Sequence, residues 1–283
     1  MEKDVVITNP EKLEKVKKLI SEAGPEKLHV LADFDRTLTK AFVGGRLIPS
    51  ITSILRDGNY LTPDYTSKAR ALFDKYHPIE IEPKVPLPEK KKLMEEWWLT
   101  HFDLLIKSGL NKKDLENVVD SAKIKLRDGF LEFADFLKEH NIPLIIMSSS
   151  GLGGDIISMY LEKNIGKNNN IHIISNVLQW GEKGEAAAVR RPIIHVMNKD
   201  ETMVKNFPCF GAVKNRKNVL LLGDNLSDVG MIIGFDYDNL IKIGFLNEKA
   251  EESLEQYKKN YDVVILNDSS FDYVNKLLKE LIK

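Results

Sequence analysis

Short apolar runs alternate with helix-like stretches along most of the chain. The first run lies in HVLADFDRTLT at residues 29–39, and the others lie at 142–147, 219–222, 240–245 and 263–266. Continuous apolar strands of this length are typical of a parallel sheet that is buried on both faces. Residues 10–23 place apolar side chains on one helical face, which predicts an amphipathic helix ahead of the first strand. The pattern therefore predicts an α/β fold.

Residues 41–125 do not follow this pattern. They contain no comparable apolar run, but their helix-like stretches carry many aromatic side chains, among them Phe73, Trp97 and Trp98. We interpret this segment as a mostly helical cap, inserted into an α/β core that consists of residues 1–40 and 126–283. Because adjacent helical residues point in different directions, we expect one tryptophan to pack inside the cap and the other to face a cleft. Residues 181–192 predict turns or a hairpin.

Composition narrows the possible partners. The 283 residues are 43% hydrophobic and 29% charged, with a formal net charge of −1, so no basic excess favours nucleic acid. No stretch approaches the roughly 18 apolar residues of a membrane span, and the N-terminus lacks the apolar core of a signal peptide. The single cysteine, Cys209, excludes an intramolecular disulfide. We expect a cytoplasmic protein that contacts neither nucleic acid nor membrane and binds any anionic partner at a local site. For the oligomeric state, which these properties do not fix, we take a monomer as the default.

Polar side chains follow three of the apolar runs. Asp33 and Asp35 follow the first, Ser148 and a glycine-rich turn follow the second, and Gly223-Asp224-Asn225-Leu226-Ser227-Asp228 follows the third. Ligands of open α/β sheets bind outside the carboxyl ends of the strands, so we expect these segments to meet in one crevice. Lys199, in HVMNKDE, precedes a predicted helix and joins this inventory.

The pair Asp33 and Asp35 presents a physical problem. In a strand, side chains at i and i+2 point the same way, so the two carboxylates would repel unless a cation or a proton separates them. A metal site, a proton-sharing pair and a solvated turn all remain open. Hard carboxylate oxygens suit Mg²⁺, and hydroxyls, free amides and a lysine suit a phosphoryl group. One carboxylate can then attack phosphorus while its neighbour donates a proton.

The ordered motifs Asp33-x-Asp35-x-Thr37, Ser148, Lys199 and Gly223-Asp224-x-x-x-Asp228 resemble the haloacid dehalogenase superfamily of phosphatases. From about residue 28 onward, further segments resemble the cytosolic 5′-nucleotidase III (pyrimidine 5′-nucleotidase) family: DFDRTLT, KYHPIEIEP, MEEWW, IISN, IHVMNKDE, LLLGDNLSDVGM and LIKIGFLNE. The resemblance implies a Rossmann-like core with a helical cap. It also implies Mg²⁺-dependent hydrolysis of nucleoside 5′-monophosphates, with CMP or UMP preferred and 7-methylguanosine monophosphate as the alternative.

The resemblance also assigns roles to single residues. Asp33 is implied to be the nucleophile and a Mg²⁺ ligand, and Asp35 the general acid/base, with its main-chain carbonyl on the metal. Asp224 supplies the remaining protein ligand, and Asp228 supports it. The residues implied to bind substrate are Ser148, Ser149 and Lys199 for phosphate, Glu80 for the nucleobase, and His101.

The chain departs from the family pattern in two places. SSSGLGGD contains an added residue, and counting from the strand favours Ser148 over Ser149 as the phosphate-binding hydroxyl. His101 stands where the family usually has a serine, so a structural role for it stays open. For Asp155 we expect a helix-capping role in preference to a catalytic one, and for Glu80 an ion pair within the cap remains an alternative to base binding. Two alternative functions also remain: another small-molecule phosphatase or phosphotransferase of the same superfamily, and a nucleotide-binding protein without turnover.

Overall fold

The computed structural model describes residues 3–82, 84–200 and 207–282. Its strands are β1 Val5–Ile7, β2 Leu28–Ala32, β3 Phe42–Val43, β4 Arg46–Leu47, β5 Leu144–Met147, β6 Ile171–Ile174, β7 Leu178–Trp180, β8 Ala186–Val189, β9 Asn218–Gly223, β10 Asn239–Leu246 and β11 Val263–Leu266. Its helices are α1 Pro10–Ala23, α2 Ile51–Asp57, α3 Tyr65–Ile81, α4 Leu87–Lys107, α5 Lys112–Asp120, α6 Phe130–Glu139, α7 Gly153–Ile165, α8 Phe210–Val213, α9 Ala250–Asn260 and α10 Asp272–Leu281. Among these described residues, no helix is long and apolar enough to cross a membrane.

The main sheet has the strand order β1-β11-β10-β9-β2-β5-β6, and all neighbours are parallel except β1. Successive residues of the central strand β2 enter different cores, with Val30 on one face and Leu31 on the other. Both faces are therefore buried, which explains the continuous apolar runs. The predicted parallel α/β fold is confirmed.

The two edge strands were not predicted from the sequence. β1 is three residues long and pairs antiparallel with β11, and β6 extends the other side of the sheet. A hairpin is present, but only its turn and its second strand β8 lie within 181–192, because its first strand β7 ends at Trp180. Short edge strands are selected by their partners more than by their own pattern, so they leave a weak sequence signal.

Helices α2 to α5 lie in the chain between β2 and β5, together with the small β3–β4 hairpin. The two chain segments that lead into and out of this region run side by side. The amide of Lys40 donates to the carbonyl of Lys125 at 2.9 Å, and the amide of Arg127 donates to the carbonyl of Leu38 at 2.9 Å. The limits of the cap at residues 41 and 125 stay a prediction.

His29 is a fully buried histidine in the central strand β2. Its Nδ1 lies 2.8 Å from the carbonyl oxygen of Arg216. Burial lowers the pKa of His29 from 6.5 to about 4, because the imidazolium would lose its hydration in the core. Unfolding restores the ordinary pKa of 6.5. Between about pH 6.5 and pH 4, the unfolded chain therefore carries a proton on His29 that the folded chain lacks.

We predict that this histidine destabilises the protein in acid. As the pH falls from about 6.5 to about 4, the free energy of unfolding of the wild type should drop by up to about 3 kcal/mol more than that of His29→Gln. Glutamine keeps an amide donor for the carbonyl of Arg216 but does not titrate. Urea unfolding at several pH values measures the difference, and parallel pH dependences for the two proteins would contradict the prediction.

Candidate active site

Three neighbouring strands of the sheet place predicted site residues at their shared carboxyl end. Asp33, Ser148 and Asp224 directly follow β2, β5 and β9, which lie next to one another in the order β9-β2-β5. The amide of Asp33 still donates to the carbonyl of Leu222 at 3.0 Å, so the sheet ladder fixes the backbone of this aspartate. All three border a cavity of about 350 Å³.

The centre of this cavity is a compact group of acids around one lysine. Carboxylate oxygens of Asp33, Asp224 and Asp228 lie within 4.8 Å of one another. The buried Nζ of Lys199 donates to Asp33 and to Oδ1 of Asp228, the latter at 3.0 Å. A turn places this lysine, since the amide of His195 donates to Oδ1 of Asn198 at 2.8 Å just before it. The helix expected after Lys199 lies outside the described residues.

Burial and mutual repulsion shift the titration of these groups. Burial raises the pKa of Asp33 to about 6, against the opposing charge of Lys199. Burial and the neighbouring charge of Asp33 raise the pKa of Asp35 to about 7, and burial with the charges of Asp228 and Asp33 raises the pKa of Asp224 well above its ordinary value. Burial opposes the charge of Lys199, but the carboxylates of Asp228 and Asp33 raise its pKa.

Asp33 and Asp35 do not share a strand face, because β2 already ends at Ala32. The expectation of a strand-type pair is therefore wrong, and the two acids lie on an irregular turn instead. Asp35 is extended, while Arg36 has a left-handed backbone with φ +62°. Oδ1 of Asp35 accepts a hydrogen bond from the amide of Ile51 at 2.7 Å, which ties this acid to the start of α2.

The acid cluster fits a hard divalent cation. Asp228 is occupied by protein contacts: its Oδ2 accepts from the amides of Asp224 and Asn225 at 3.1 and 3.0 Å, and its Oδ1 faces Lys199. This leaves the carboxylates of Asp33 and Asp224 as the oxygens that could hold a metal, with Asp228 orienting the loop that carries Asp224.

The serine-rich turn after β5 borders the cavity from the second side. The hydroxyl oxygen of the buried Ser148 accepts from the amide of Ser150 at 3.2 Å, and the partly exposed Ser149 also lines the cavity. Asp155 does not cap α7, as its position had suggested. It lies in the first turn of that helix, and its Oδ2 accepts from the indole of Trp180 at 2.7 Å.

Helices α2, α3 and α4, in the segment predicted to be a cap, also contribute residues to the lining of the cavity. His101 on α4 is buried, and its Nε2 lies 3.2 Å from the carbonyl oxygen of Gly151 in the serine-rich turn. Burial lowers the pKa of His101 to about 4, so the ring is neutral at pH 7. A Cβ at Gly151 would lie 2.7 Å from Nε2 of His101 and 2.8 Å from the Trp98 ring, so only glycine permits this approach.

Glu80 borders the cavity and is also paired within the cap. Its Oε2 lies 2.9 Å from Nδ1 of His77. Trp97 is stacked between Tyr76 and Trp98, with ring centroids 5.7 Å apart on each side. Trp97 packs with Tyr76 and Met94 in a small hydrophobic cluster, whereas Trp98 is only partly buried and contacts His101 edge-on.

Several contributors to this site went unnoticed in the sequence. Nε of Arg36 lies 3.4 Å from Oδ2 of Asp224, while its Nη2 pairs with Glu248 at 2.8 Å. The hydroxyl of Tyr257 donates to the carbonyl of Asp224, and the buried Arg127 holds the turn that carries Asp35. Arg36 directly follows the Asp-x-Asp pair and could have been identified from the sequence. Tyr257 and Arg127 act on main-chain atoms, so no sequence motif marks them.

Comparisons with known proteins agree with this geometry. The family model of pyrimidine 5′-nucleotidase (UMPH-1) matches residues 36–282. The 7-methylguanosine phosphate-specific 5′-nucleotidase A of Xenopus laevis is 36% identical over 279 residues, which cover 98% of this chain and 96% of that protein. The corresponding enzyme of Homo sapiens is 33% identical over 283 residues, which cover 100% of this chain and 94% of that protein.

Solved structures give the same result. A crystal structure of cytosolic 5′-nucleotidase IIIB bound to cytidine superposes with a TM-score of 0.89 at 26% identity, covering 99% of this chain and 94% of that one. A haloacid dehalogenase family hydrolase from Salmonella enterica, with a TM-score of 0.55 at 16% identity, covers 97% of this chain and 81% of its own length and shares the fold. The resemblance drawn from the motifs is confirmed: the chain belongs to the pyrimidine 5′-nucleotidase family, a group of hydrolases with the haloacid dehalogenase fold.

Proposed function

We propose that this protein hydrolyses nucleoside 5′-monophosphates to nucleoside and phosphate through an aspartyl-phosphate at Asp33. The observation that carries the proposal is the contact of Asp33 with Lys199 at the floor of a cavity whose roof is aromatic. A carboxylate nucleophile and a buried cation lie where a phosphoryl group would sit, and the roof suits a nucleobase.

In the first step, a carboxylate oxygen of Asp33 attacks phosphorus and the bond to the nucleoside 5′-oxygen breaks. Asp35, whose raised pKa favours a retained proton, gives that proton to the departing oxygen. In the second step, water attacks the same phosphorus and gives a proton back to Asp35, and the bond to Asp33 breaks to release phosphate. Lys199 and the hydroxyls of Ser148 and Ser149 hold the non-bridging oxygens.

The residues present fit Mg²⁺, which the carboxylates of Asp33 and Asp224 and the main-chain carbonyl of Asp35 would hold. When bound, the ion would offset negative charge on the phosphoryl oxygens. Tyr257 and Asp228 fix the loop that presents Asp224.

For the base, we propose 7-methylguanine as the preferred partner. The cavity is lined on the cap side by aromatic rings, including Phe73 and Trp98, and by the carboxylate of Glu80. A methylated guanine carries a positive charge, which aromatic faces and a carboxylate both attract. The named relatives from Xenopus laevis and Homo sapiens are specific for 7-methylguanosine phosphate, which supports this choice.

A pyrimidine nucleotide, CMP or UMP, is the second candidate. It is supported by the name of the matching family and by the cytidine bound to cytosolic 5′-nucleotidase IIIB. We propose that the enzyme acts as a cytoplasmic monomer on free nucleotide; its single cysteine, Cys209, is buried and unpaired, as suits a reducing compartment.

Asp33→Asn should remove turnover, because an amide cannot act as the nucleophile. Phosphate release should fall by at least about 10³-fold while the circular dichroism spectrum stays unchanged. Asp135→Asn, a change to an exposed acid on α6, serves as the matched control and should keep full activity. Substantial turnover by Asp33→Asn would refute the nucleophile assignment, and nucleotide binding without phosphate release by the wild type would favour a binding protein.

Chelation should stop the reaction. EDTA should abolish phosphate release and excess Mg²⁺ should restore it, because the acid cluster needs a cation to receive a phosphate dianion. Asp224→Asn should raise the Mg²⁺ concentration at half-maximal rate by about tenfold or more, whereas Asp135→Asn should leave it unchanged. Full activity in EDTA would exclude the assigned metal role.

A substrate panel decides the base. We expect kcat/KM for 7-methyl-GMP to exceed that for CMP, UMP, GMP and AMP, and Trp98→Ala to raise KM for 7-methyl-GMP by about tenfold through lost stacking. Tyr237→Ala, which removes an exposed aromatic ring outside the cavity, is the control. Highest kcat/KM for CMP or UMP would select the second candidate, and equal rates on all phosphomonoesters would reject a nucleotidase.

A further inference from the structure

We propose that Arg127 is a positioning residue for departure of the nucleoside, acting by holding the turn that carries the proton donor Asp35. This inference rests on the proposed function. Arg127 lies outside the lining of the cavity, and its guanidinium hydrogen-bonds to residues 36–39, Asn247 and Ser269 instead of to Asp35. Its effect must therefore pass through the main chain of residues 36–39.

The guanidinium of Arg127 donates to three main-chain carbonyls of this one turn. Nε donates to Thr37 at 2.9 Å, and Nη2 donates to Arg36 and, at 3.3 Å, to Thr39. The side chain of Arg127 is completely buried. Buried carbonyls need partners, and here one side chain supplies them for nearly the whole turn.

The other side of the guanidinium is anchored to the core. Nη1 pairs with Oδ1 of Asp268 at 3.1 Å and donates to the carbonyl of Ser269 at 2.7 Å, just beyond β11. Nη2 also donates to Oδ1 of Asn247 at 3.0 Å, and Nδ2 of Asn247 donates in turn to the carbonyl of Arg36 at 3.0 Å. The guanidinium thus ties the turn after β2 to the ends of β10 and β11.

The turn needs this support because of its conformation. Arg36 has φ +62°, a left-handed backbone that non-glycine residues seldom adopt without outside contacts. The carboxylate of Asp35 is fixed on its far side by the amide of Ile51. Its position relative to a departing 5′-oxygen therefore depends on this contact and on the restraints on the main chain of the turn. Arg127 supplies three of these main-chain contacts, and Asn247 and the hydroxyl of Thr39 supply one each.

The planar guanidinium group of arginine, with its five N–H donors, is required to reach this set of carbonyl and carboxylate acceptors. Lysine would keep the charge beside Asp268 but has one compact ammonium group, which cannot reach carbonyls on several sides. Arg127→Lys therefore loosens the turn while it preserves the local charge.

The test compares two substrates whose leaving groups differ in their need for a proton. The two substrates are a nucleoside 5′-monophosphate and its analogue with sulfur in place of the bridging 5′-oxygen. A thiolate, whose thiol has a pKa of about 8.5, departs without a proton, whereas an alkoxide needs one from Asp35. We measure kcat/KM, which covers the steps up to departure of the nucleoside. Asp35→Asn defines the signature of a lost proton donor.

For Arg127→Lys we expect kcat/KM to fall by about 100-fold with the oxygen substrate and by less than about threefold with the sulfur analogue. Arg216→Lys is the matched control. Arg216 also donates to main-chain carbonyls, those of Pro25, Leu28 and Asn141, but at the opposite end of β2. Any loss in this control should be equal for both substrates.

Equal losses on both substrates in Arg127→Lys would overturn the proposal and leave a purely structural role. If that variant does not fold, Asn247→Ala decides, because it removes the second donor to the carbonyl of Arg36: a bias toward loss on the oxygen substrate supports the proposal, and equal losses overturn it. Absence of wild-type turnover on either substrate would instead overturn the proposed function itself.

Discussion

The concentration of negative charge at the carboxyl end of the central strands is the constraint on which the rest of the structure depends. Asp33, Asp224 and Asp228 bring carboxylate oxygens within 4.8 Å of one another in a site largely withdrawn from water. Charges so placed are tolerated only when cations and hydrogen-bond donors surround them. Lys199 lies between two of the acids, Arg36 approaches a third, and backbone amides satisfy Asp228. The phosphate dianion of the proposed substrate would add to the same imbalance, which is the physical reason for proposing a metal here.

Two glycines, Gly223 and Gly151, permit the close packing around the site, because a side chain at either position would clash. A Cβ at Gly223 would lie 2.5 Å from the Cβ of Asp228 and 3.0 Å from the hydroxyl of Tyr261, so the loop after β9 can fold back on its strand only at glycine. Gly151 has the same role beneath the cap, where it admits His101 and Trp98. The floor and the roof of the cavity therefore approach each other across backbone that carries no side chain.

Much of this architecture could be predicted from local pattern. α1 and β11 have the limits that periodicity predicted, since each is selected by its own apolar positions. Strand pairing brought Asp33, Ser148 and Asp224 together as expected, because parallel strands end at one edge. What escaped prediction depends on contacts between distant parts of the chain. Asp155 looked like a helix cap but binds Trp180, the Asp-x-Asp pair left its strand at once, and Arg127 binds carbonyls that no side-chain pattern reveals.

The paired segments that join the helical region to the sheet have a consequence for how the chain can vary. Lys40 and Lys125 are joined by a main-chain hydrogen bond, so the long excursion between them begins and ends at nearly the same point in space. The entropic cost of closing such an excursion rises only slowly with its length, by about 0.6 kcal/mol for each doubling. Its interior can therefore be replaced or lengthened while the strand ends stay where they are. Only residues such as Ile51, whose amide holds the carboxylate of Asp35, tie this excursion directly to the acids at the strand ends.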